Sequence, residues 1–446
     1  MLKKVLIANR GEIVNRIIAT CEKMGIGTVA VYSAADREMP YLERADEAVL
    51  IGPANPVQSY LNIHALMTAA RQTGADSVHP GYGFLSERGA FAEAVESAGL
   101  TWVGPSSRVL RAISSKCYCR SLAQGVQVPV IPGTLNPVKS PQEIEAYGQK
   151  HGWPIFLKLD KGGGGKGIER VDGESMAAAV FQRASRIGEM AFGSGACYIE
   201  AVVNRPRHIE VQFLADHHGH CICLGERECS IQRRHQKIVE EAPSTAVTLQ
   251  ERLRLYAYVR RIVGKMGYVG AGTIENLRDP DGNYYFMEIN ARLQVEHPVT
   301  ELLTGLDIVQ WQLRIAGGEL LTMPQEAVAL NGHAIEARIY AEDPETFIPS
   351  PGTIGELVLP KAHAGLRIEH ALRAGGTVPP YYDPLLAKVI AWGANRNEAI
   401  SKLREALAQM RIEGVRSTIV TGLRILAQPR FVEGRIDTAF FDDLRS

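Results

Sequence analysis

The chain has 446 residues, 46% of them hydrophobic, which is enough for roughly two to four domains with substantial cores. Lys plus Arg and Asp plus Glu balance at 49 each, so no global field favours nucleic acid or an acidic membrane surface, and any anion site must be local. Met1-Leu2-Lys3-Lys4 leads straight into the short run Val5-Leu6-Ile7-Ala8, which lacks a small-residue cleavage site and is too short to span a bilayer; a cytoplasmic location is expected. The seven cysteines (Cys21, Cys117, Cys119, Cys197, Cys221, Cys223, Cys229) are odd in number and scattered, against a disulfide framework. The single residue inside Cys117/Cys119 and Cys221/Cys223 is the wrong spacing for a zinc knuckle.

In chain order, residues 3–8 read as a buried strand, 12–24 as an amphipathic helix and 27–32 as a second strand, a βαβ opening that implies a parallel sheet. Residues 61–74 read as another helix and 77–79 as a strand end. Pro80-Gly81-Tyr82-Gly83 then emerges where open α/β sheets place ligands, which makes Tyr82 a candidate site residue. Near Lys116 the pattern turns helical, and residues 129–137 form a Pro/Gly-marked connector, so a boundary is expected around 113–116. Residues 131–203 hold a glycine cluster and read as a subdomain. A strand-rich stretch follows at 205–297, with alternation at 209–214 and 284–287; His217, His218 and His220 around Gly219 read as a hairpin turn. Beyond 331, short strands are broken by Pro344, Pro349, Pro351, Pro379, Pro380 and Pro384, and a helix covers about 396–412, the pattern of a separate α+β domain. The fold class expected is α/β and α+β: an open parallel domain at 1–114, a central domain at 115–330 with the subdomain inside it, and a C-terminal domain at 331–446.

The densest chemistry lies at Glu288, Asn290, Arg292, Gln294 and Glu296, alternating with Ile289, Ala291, Leu293 and Val295. If that segment is extended, five polar side chains leave one face and four apolar ones pack beneath. The strand Gly272-Thr273-Ile274-Glu275, the turn Asp279-Pro280-Asp281-Gly282-Asn283 and the strand Tyr284-Tyr285-Phe286 make a hairpin, with Glu275 and Glu288 as cross-strand neighbours. Carboxylates so close repel unless a cation sits between them, and hard oxygen ligands point to Mg²⁺ rather than zinc. A two-residue Asp281-Gly282 turn sets the glutamates opposite; a three-residue Pro280-Asp281-Gly282 loop needs a bulge to do so. The plain alternative is a salt-laced edge hairpin.

Lys158 closes an apolar segment, and the run from Gly162 through Gly163, Gly164, Gly165 and Lys166 to Gly167 follows. Backbone N–H groups of glycines can converge on phosphate oxygens, with Lys166 adding charge. This is not the P-loop, because Gly167 stands where Ser or Thr is required; a flexible lid over a triphosphate is the reading, against a mere linker. Gln232, Arg233, Arg234, His235, Gln236 and Lys237 form a second cluster of donors, either an anion site or a solvated basic loop beside Glu240 and Glu241. His208 and Glu210 share the polar face of one strand, and Arg338 stands in another alternating segment where Glu336 is its plain partner.

Taken together these segments resemble a biotin carboxylase of the ATP-grasp superfamily, such as the subunit of an acetyl-CoA carboxylase-type or related biotin-dependent carboxylase, over nearly the whole chain. The matching stretches are 7–13, 79–87, 162–167, 232–237, 288–300 and 377–383. The resemblance implies that Lys116, Lys158 and the glycine run hold ATP, with His208, Gln232, His235 and Leu277 near the nucleotide. Glu275, Glu288 and Asn290 would hold Mg²⁺ (or Mn²⁺), and Lys237, Arg292, Gln294 and Val295 bicarbonate. Glu296 would deprotonate bicarbonate for attack on the γ-phosphate, giving carboxyphosphate; Arg338 would stabilise the biotin enolate, with Tyr82 and Gly83 beside the biotin ring. Because the chain ends at Ser446 without a Met-Lys-Met segment, biotin is expected on a carrier protein, with a carboxyltransferase subunit as further partner and a homodimer as the assembly. Rival readings are another ATP-grasp ligase forming an acyl phosphate and a non-catalytic ATP-binding paralogue. Departures from the usual pattern are Glu169 for arginine, Ser115 for aspartate, Asn276 for an apolar residue, Gly376 for tyrosine, and Asp160-Lys161 at the start of the glycine segment. Glu169 is expected to weaken ATP binding if it faces the triphosphate.

Overall fold

A computed structural model describes residues 2–162 and 167–444. Five short apolar segments, β1 (Lys4–Ile7), β2 (Gly27–Ser33), β3 (Glu47–Gly52), β4 (Ser77–His79) and β5 (Thr101–Trp102), form a parallel sheet in the order β3-β2-β1-β4-β5. The helix Glu12–Met24 turns Ile13, Val14, Ile17, Ile18 and Cys21 inward and stops at Gly25, whose φ of 68° supplies the left-handed cap. Strand order reverses between β1 and β4, so the loops that follow them meet, as open α/β sheets require of a binding crevice. Asn9 Nδ2 donates to the carbonyls of Pro80 and Tyr82, both at 2.7 Å. Only glycine fits between them: at Gly81, φ is 62° and a Cβ would lie 2.8 Å from Asn9 Nδ2.

A second, antiparallel sheet of β6 (Ile155–Leu159), β7 (Ile168–Val171) and β8 (Cys197–Ala201) runs in the order β7-β6-β8. With the helices Pro141–His151 and Ala177–Phe192 it closes its own core of Ile144, Ile155, Leu157, Val171, Val180 and Ile199. The residues of the glycine run expected at phosphate, Gly163, Gly164, Gly165 and Lys166, lie outside the described residues.

The largest sheet contains β9 (Arg207–Ala215), β10 (Cys221–Arg233), β11 (Gln236–Ala242), β12 (Gly270–Arg278), β13 (Tyr284–Asn290) and β14 (His333–Tyr340), with Leu366–His370 and Leu385–Gly393. Its eight antiparallel strands run β13-β12-β9-β10-β11-β14, then Leu385–Gly393 and Leu366–His370. The strands beyond residue 331 therefore continue the central sheet, through β11 paired with β14, while packing a second core of Ile335, Ile339, Val389, Leu403, Leu407 and Phe431. The last long helix is Arg396–Gln409, shorter than the pattern implies, because Arg411–Ile412 pairs with Leu357–Val358 instead. The histidine segment is the β9–β10 turn, clamped by Asp216, whose carboxylate accepts from the backbone of His218 and His220 at 2.8 and 3.0 Å. No helix among the described residues is long and apolar enough to cross a membrane.

The β12–β13 hairpin takes the three-residue form. Asp279 N–H donates to the Asn283 carbonyl at 3.0 Å, leaving Pro280, Asp281 and Gly282 as the loop. Glu275 lies opposite Glu288 but Asn276 opposite Phe286, so Met287 is the extra residue of a bulge that brings the two glutamates face to face. The extended run is shorter than its alternation implies. The strand stops at Asn290, and Glu296, with φ −81° and ψ 12°, caps the helix His297–Thr304. Pro298 in the first helical turn favours the helix start, because its fixed φ is already helical. Ala291 and Leu293 remain buried as the alternation requires, and Val295 is half-buried.

Candidate active site

Glu288 on β13 stands opposite Glu275 on β12, which stands opposite Glu210 on β9, opposite in turn to Arg227 on β10. Directly opposed residues share a face, so this is one polar row across four strands. Lys237, on β11, reaches into it: Nζ lies 2.6 Å from Glu210 Oε2, 3.1 Å from Glu275 Oε1 and 2.6 Å from Glu296 Oε1. Arg227 is fully buried; it pairs with Glu210 and donates to Gln212 at 2.8 Å and Thr300 Oγ1 at 2.9 Å. Arg338 Nη2 holds the other oxygen of Glu296 at 2.9 Å and also pairs with Glu240, rather than with Glu336 on its own strand.

This crowding sets the charges. Burial alone pushes the Glu296 carboxyl up, but Lys237, Arg338 and Arg227 outweigh it and hold the group well below the usual carboxylate range. Burial likewise opposes charge on Glu275, and Lys237 and His208 reverse it, so this carboxylate too is ionised at neutral pH. Burial also works against Lys237, yet the carboxylates of Glu210, Glu275 and Glu296 keep its ammonium protonated.

Arg292 fans over the rim of the row, with Nε 3.1 Å from Glu87, Nη2 3.1 Å from Asn290 Oδ1 and Nη1 3.2 Å from Gln294 Oε1. Gln294 is itself fixed by Thr273 Oγ1 at 2.8 Å. Asn290 Nδ2 donates to Glu275 at 2.7 Å. At the far end Lys116 pairs with Glu288, and Lys158 with Glu200, which also takes Arg120. His208 links Glu275 (Nε2 at 2.9 Å) to Gln232 (Nδ1 at 2.8 Å), and Leu277 lies opposite it in register. His235 sits in a tight turn at φ 65°, where burial, and then Lys158 and His208, lower its pKa and keep the imidazole neutral. On the other flank the Tyr82 hydroxyl bonds Glu12, Glu12 pairs with Lys388 at 3.2 Å, and Lys388 donates to the Val295 carbonyl at 2.9 Å. Gly83 beside it is exposed.

The oxygens of Glu275 and Glu288, with Asn290 adjoining, are a hard donor set suited to Mg²⁺ or Mn²⁺. His208, Glu210 and Glu275 also converge within 4.8 Å, but the Lys237 ammonium already bridges the two glutamates of that cluster.

The departures resolve individually. Glu169 lies opposite Leu157 in register, on the face away from Lys158, and is bound by Arg183 at 2.8 Å. Asn276 points beneath the site, buried, with its Oδ1 lacking a hydrogen-bond partner among the described residues. Gly376 lines a cavity of about 400 Å³ between the Arg10–Glu12 loop and the C-terminal segment. Sequence reasoning missed Arg227, Glu200, Glu12 and Lys388. The strand Cys221–Arg233 carried the available sign, since Glu226, Arg227 and Glu228 sit in a segment whose flanks are apolar and so demand buried partners.

An eight-stranded antiparallel sheet with a lysine- and glutamate-lined face, next to a small three-stranded subdomain, defines an ATP-grasp protein. Residues 115–323 match the family described as Carbamoyl-phosphate synthase L chain, ATP binding domain. On either side, residues 1–110 match Biotin carboxylase, N-terminal domain, and 336–443 match Biotin carboxylase C-terminal domain. Biotin carboxylase 2 of Bacillus subtilis is 46% identical over 440 residues, 99% of both chains, and biotin carboxylase of Halalkalibacterium halodurans is 47% identical over 99% of this chain and 97% of its own. Among solved structures, the Campylobacter jejuni biotin carboxylase complex with β-γ-ATP superimposes with a TM-score of 0.97 at 39% identity, covering 99% of each chain. The biotin carboxylase domain dimer of Hydrogenobacter thermophilus 2-oxoglutarate carboxylase, with MgADP, ADP and bicarbonate, gives 0.96 at 42% identity over 99% of this chain and 98% of that one. The chain belongs to the biotin carboxylase family.

Proposed function

We propose that this protein uses ATP and bicarbonate to carboxylate biotin held on a carrier protein, through carboxyphosphate. One observation carries the reading: Lys237 and Arg338 grip the two oxygens of Glu296 while Lys237 also spans Glu210 and Glu275. Bicarbonate fits between Lys237 and Arg292, with Gln294 and the Val295 backbone at its edge. Its charge would offset part of the cation field on Glu296, raising that carboxylate's basicity where a proton must be taken. The deprotonated oxygen then attacks the γ-phosphorus, the bond to the β–γ bridging oxygen breaks and ADP leaves, with Lys116, Lys158 and His208 placing the nucleotide and Gln232, His235 and Leu277 walling it. A divalent ion held by Glu275, Glu288 and Asn290 supplies charge neutralisation to the phosphates. Carboxyphosphate then breaks its C–O bond to release CO₂ and phosphate, the phosphate takes the ureido N–H proton, and the ureido nitrogen attacks CO₂, while Arg338, released from Glu296 once that group is protonated, holds the negative charge on the ureido oxygen beside Tyr82 and Gly83.

In this reading residues 1–114, 115–330 and 331–446 are the working domains. The enzyme acts in the cytoplasm as a homodimer, alongside a biotin carboxyl carrier protein and a carboxyltransferase subunit. Glu296→Gln tests it: MgATP binding is retained while biotin carboxylation falls by about 10² or more, the usual scale for a positioned base. Near-normal turnover in that variant contradicts the assignment.

A further inference from the structure

We propose that Asp160 is a positioning residue for the nucleotide, locking the start of the helix Lys116–Gly125 to the end of β6 and so fixing the spacing between Lys116 and Lys158. The inference rests on the nucleotide reading above and concerns a contact which that reading does not use.

Asp160 is buried, directly after β6 and two residues beyond Lys158. Its Oδ1 accepts from the Cys117 N–H at 2.8 Å and from Ser115 Oγ at 2.9 Å, and its carbonyl accepts from the Lys116 N–H at 3.0 Å. The first two N–H groups of the helix, which no helical carbonyl can satisfy, thus both end on this one residue. Ser115, relieved of them, caps the Tyr118 N–H at 3.1 Å. Asp160 is held in turn from behind, its own N–H donating to the Ala196 carbonyl at 2.8 Å. One helical turn further on, Arg120 and Lys158 share Glu200. Helix and strand are therefore joined at two levels, and the side chains of Lys116 and Lys158 leave from the joined segments. A lysine at the first position of a helix moves with that helix's N-terminus, so loosening the upper joint moves Lys116 relative to Lys158 and Glu288. A carboxylate at position 115, the N-cap of this helix, would reach the same first-turn N–H groups from the other side of the joint.

The joint is tested by relocating the carboxyl group. MgADP dissociation constants and melting temperatures are measured for Asp160→Ala, Ser115→Asp and the double variant, with KM for ATP and kcat measured in parallel. Asp160→Ala is expected to weaken MgADP about tenfold, with the larger kinetic effect on KM. Ser115→Asp alone is expected to weaken it also, because two carboxyl groups then contest one set of N–H donors, and the double variant is expected to return close to wild type. A cap that served folding alone would lower the melting temperature of Asp160→Ala and leave the MgADP constant unchanged, which overturns the proposal, as does a double variant no better than Asp160→Ala. Should Asp160→Ala fail to fold, Asp160→Leu, close in volume but with no acceptor oxygen, carries the test: weaker MgADP supports the joint and unchanged MgADP overturns it. Because MgADP binding requires no turnover, failure of the carboxylation reading would show separately, as absence of biotin-dependent phosphate release in wild type.

Discussion

The row under Lys237 and the outer surface of the three-stranded subdomain both carry many charges, and they handle them in opposite ways. In the row, Glu210, Arg227 and Glu296 have no solvent exposure and each answers two or more partners. On the subdomain, Arg170 and Asp172 pair with 54% of each side chain in water, and Glu169 meets an Arg183 that is half exposed. Breaking a buried pair strands a charge in a low dielectric, whereas water replaces a lost surface partner at little cost. A substitution of one charge type should therefore differ in effect several-fold between the two regions.

The sharpest contrast comes from Arg227→Met. It leaves Glu210, among the described residues, with Lys237 as its one ion-pair partner, an ammonium already shared with Glu275 and Glu296, and about 3–5 kcal/mol of stability should be lost, measured by urea unfolding. A loss below about 1 kcal/mol would place the row with the surface pairs. Next, Glu275→Gln and Glu288→Gln should each weaken Mg²⁺-nucleotide binding, and the double variant should fall short of their sum because both oxygens serve one ion. Strict additivity in a titration of MgATP would separate the two carboxylates.

Much of this was legible in the sequence, and the rest was hidden for physical reasons. Alternation located β9 and β13, and turn residues located the hairpin, because both depend on neighbours a few positions away. The membership of Glu296 was legible but its route was not: the period of two ran on past Asn290, and only Pro298 marked the helix that bends the chain there. The pairing of β11 with β14 joins segments nearly a hundred residues apart in a register that local pattern cannot supply, so the C-terminal segment was legible as an α+β domain but the continuation of the central sheet into it was not. The orientation of Glu169 was left open for a similar reason. Which side of the subdomain it serves follows from its register with Leu157, across a connection whose length alone does not fix the pairing.

Two smaller effects refine the contrast. Burial pushes the Glu240 carboxyl up to about 7 against the pull of Arg338, so the folded protein holds this proton more tightly than the unfolded chain, whose ordinary value is 4.5. The contribution favours folding at acid pH and is lost as pH rises from about 4.5 through 7. Glu240→Gln should therefore gain on wild type across that window in chemical denaturation, and parallel stability curves would refute the shift. Glu169→Arg should be the mildest change of all: MgADP affinity stays unchanged at low salt, and stability moves by no more than about 1 kcal/mol through loss of the Arg183 pair. Tighter nucleotide binding that fades as salt rises would return Glu169 to the triphosphate side.

The chemistry assigned to the row has a direct isotopic signature. If Glu296 deprotonates bicarbonate for attack on the γ-phosphate, turnover of wild type with free biotin and ¹⁸O-labelled bicarbonate must transfer label into the inorganic phosphate released, as read by mass spectrometry or ³¹P NMR. Labelled phosphate formed in step with carboxybiotin is the predicted result. Phosphate that is unlabelled while biotin is carboxylated would show that bicarbonate never attacks phosphorus, and would contradict the role given to Lys237, Arg292 and Glu296.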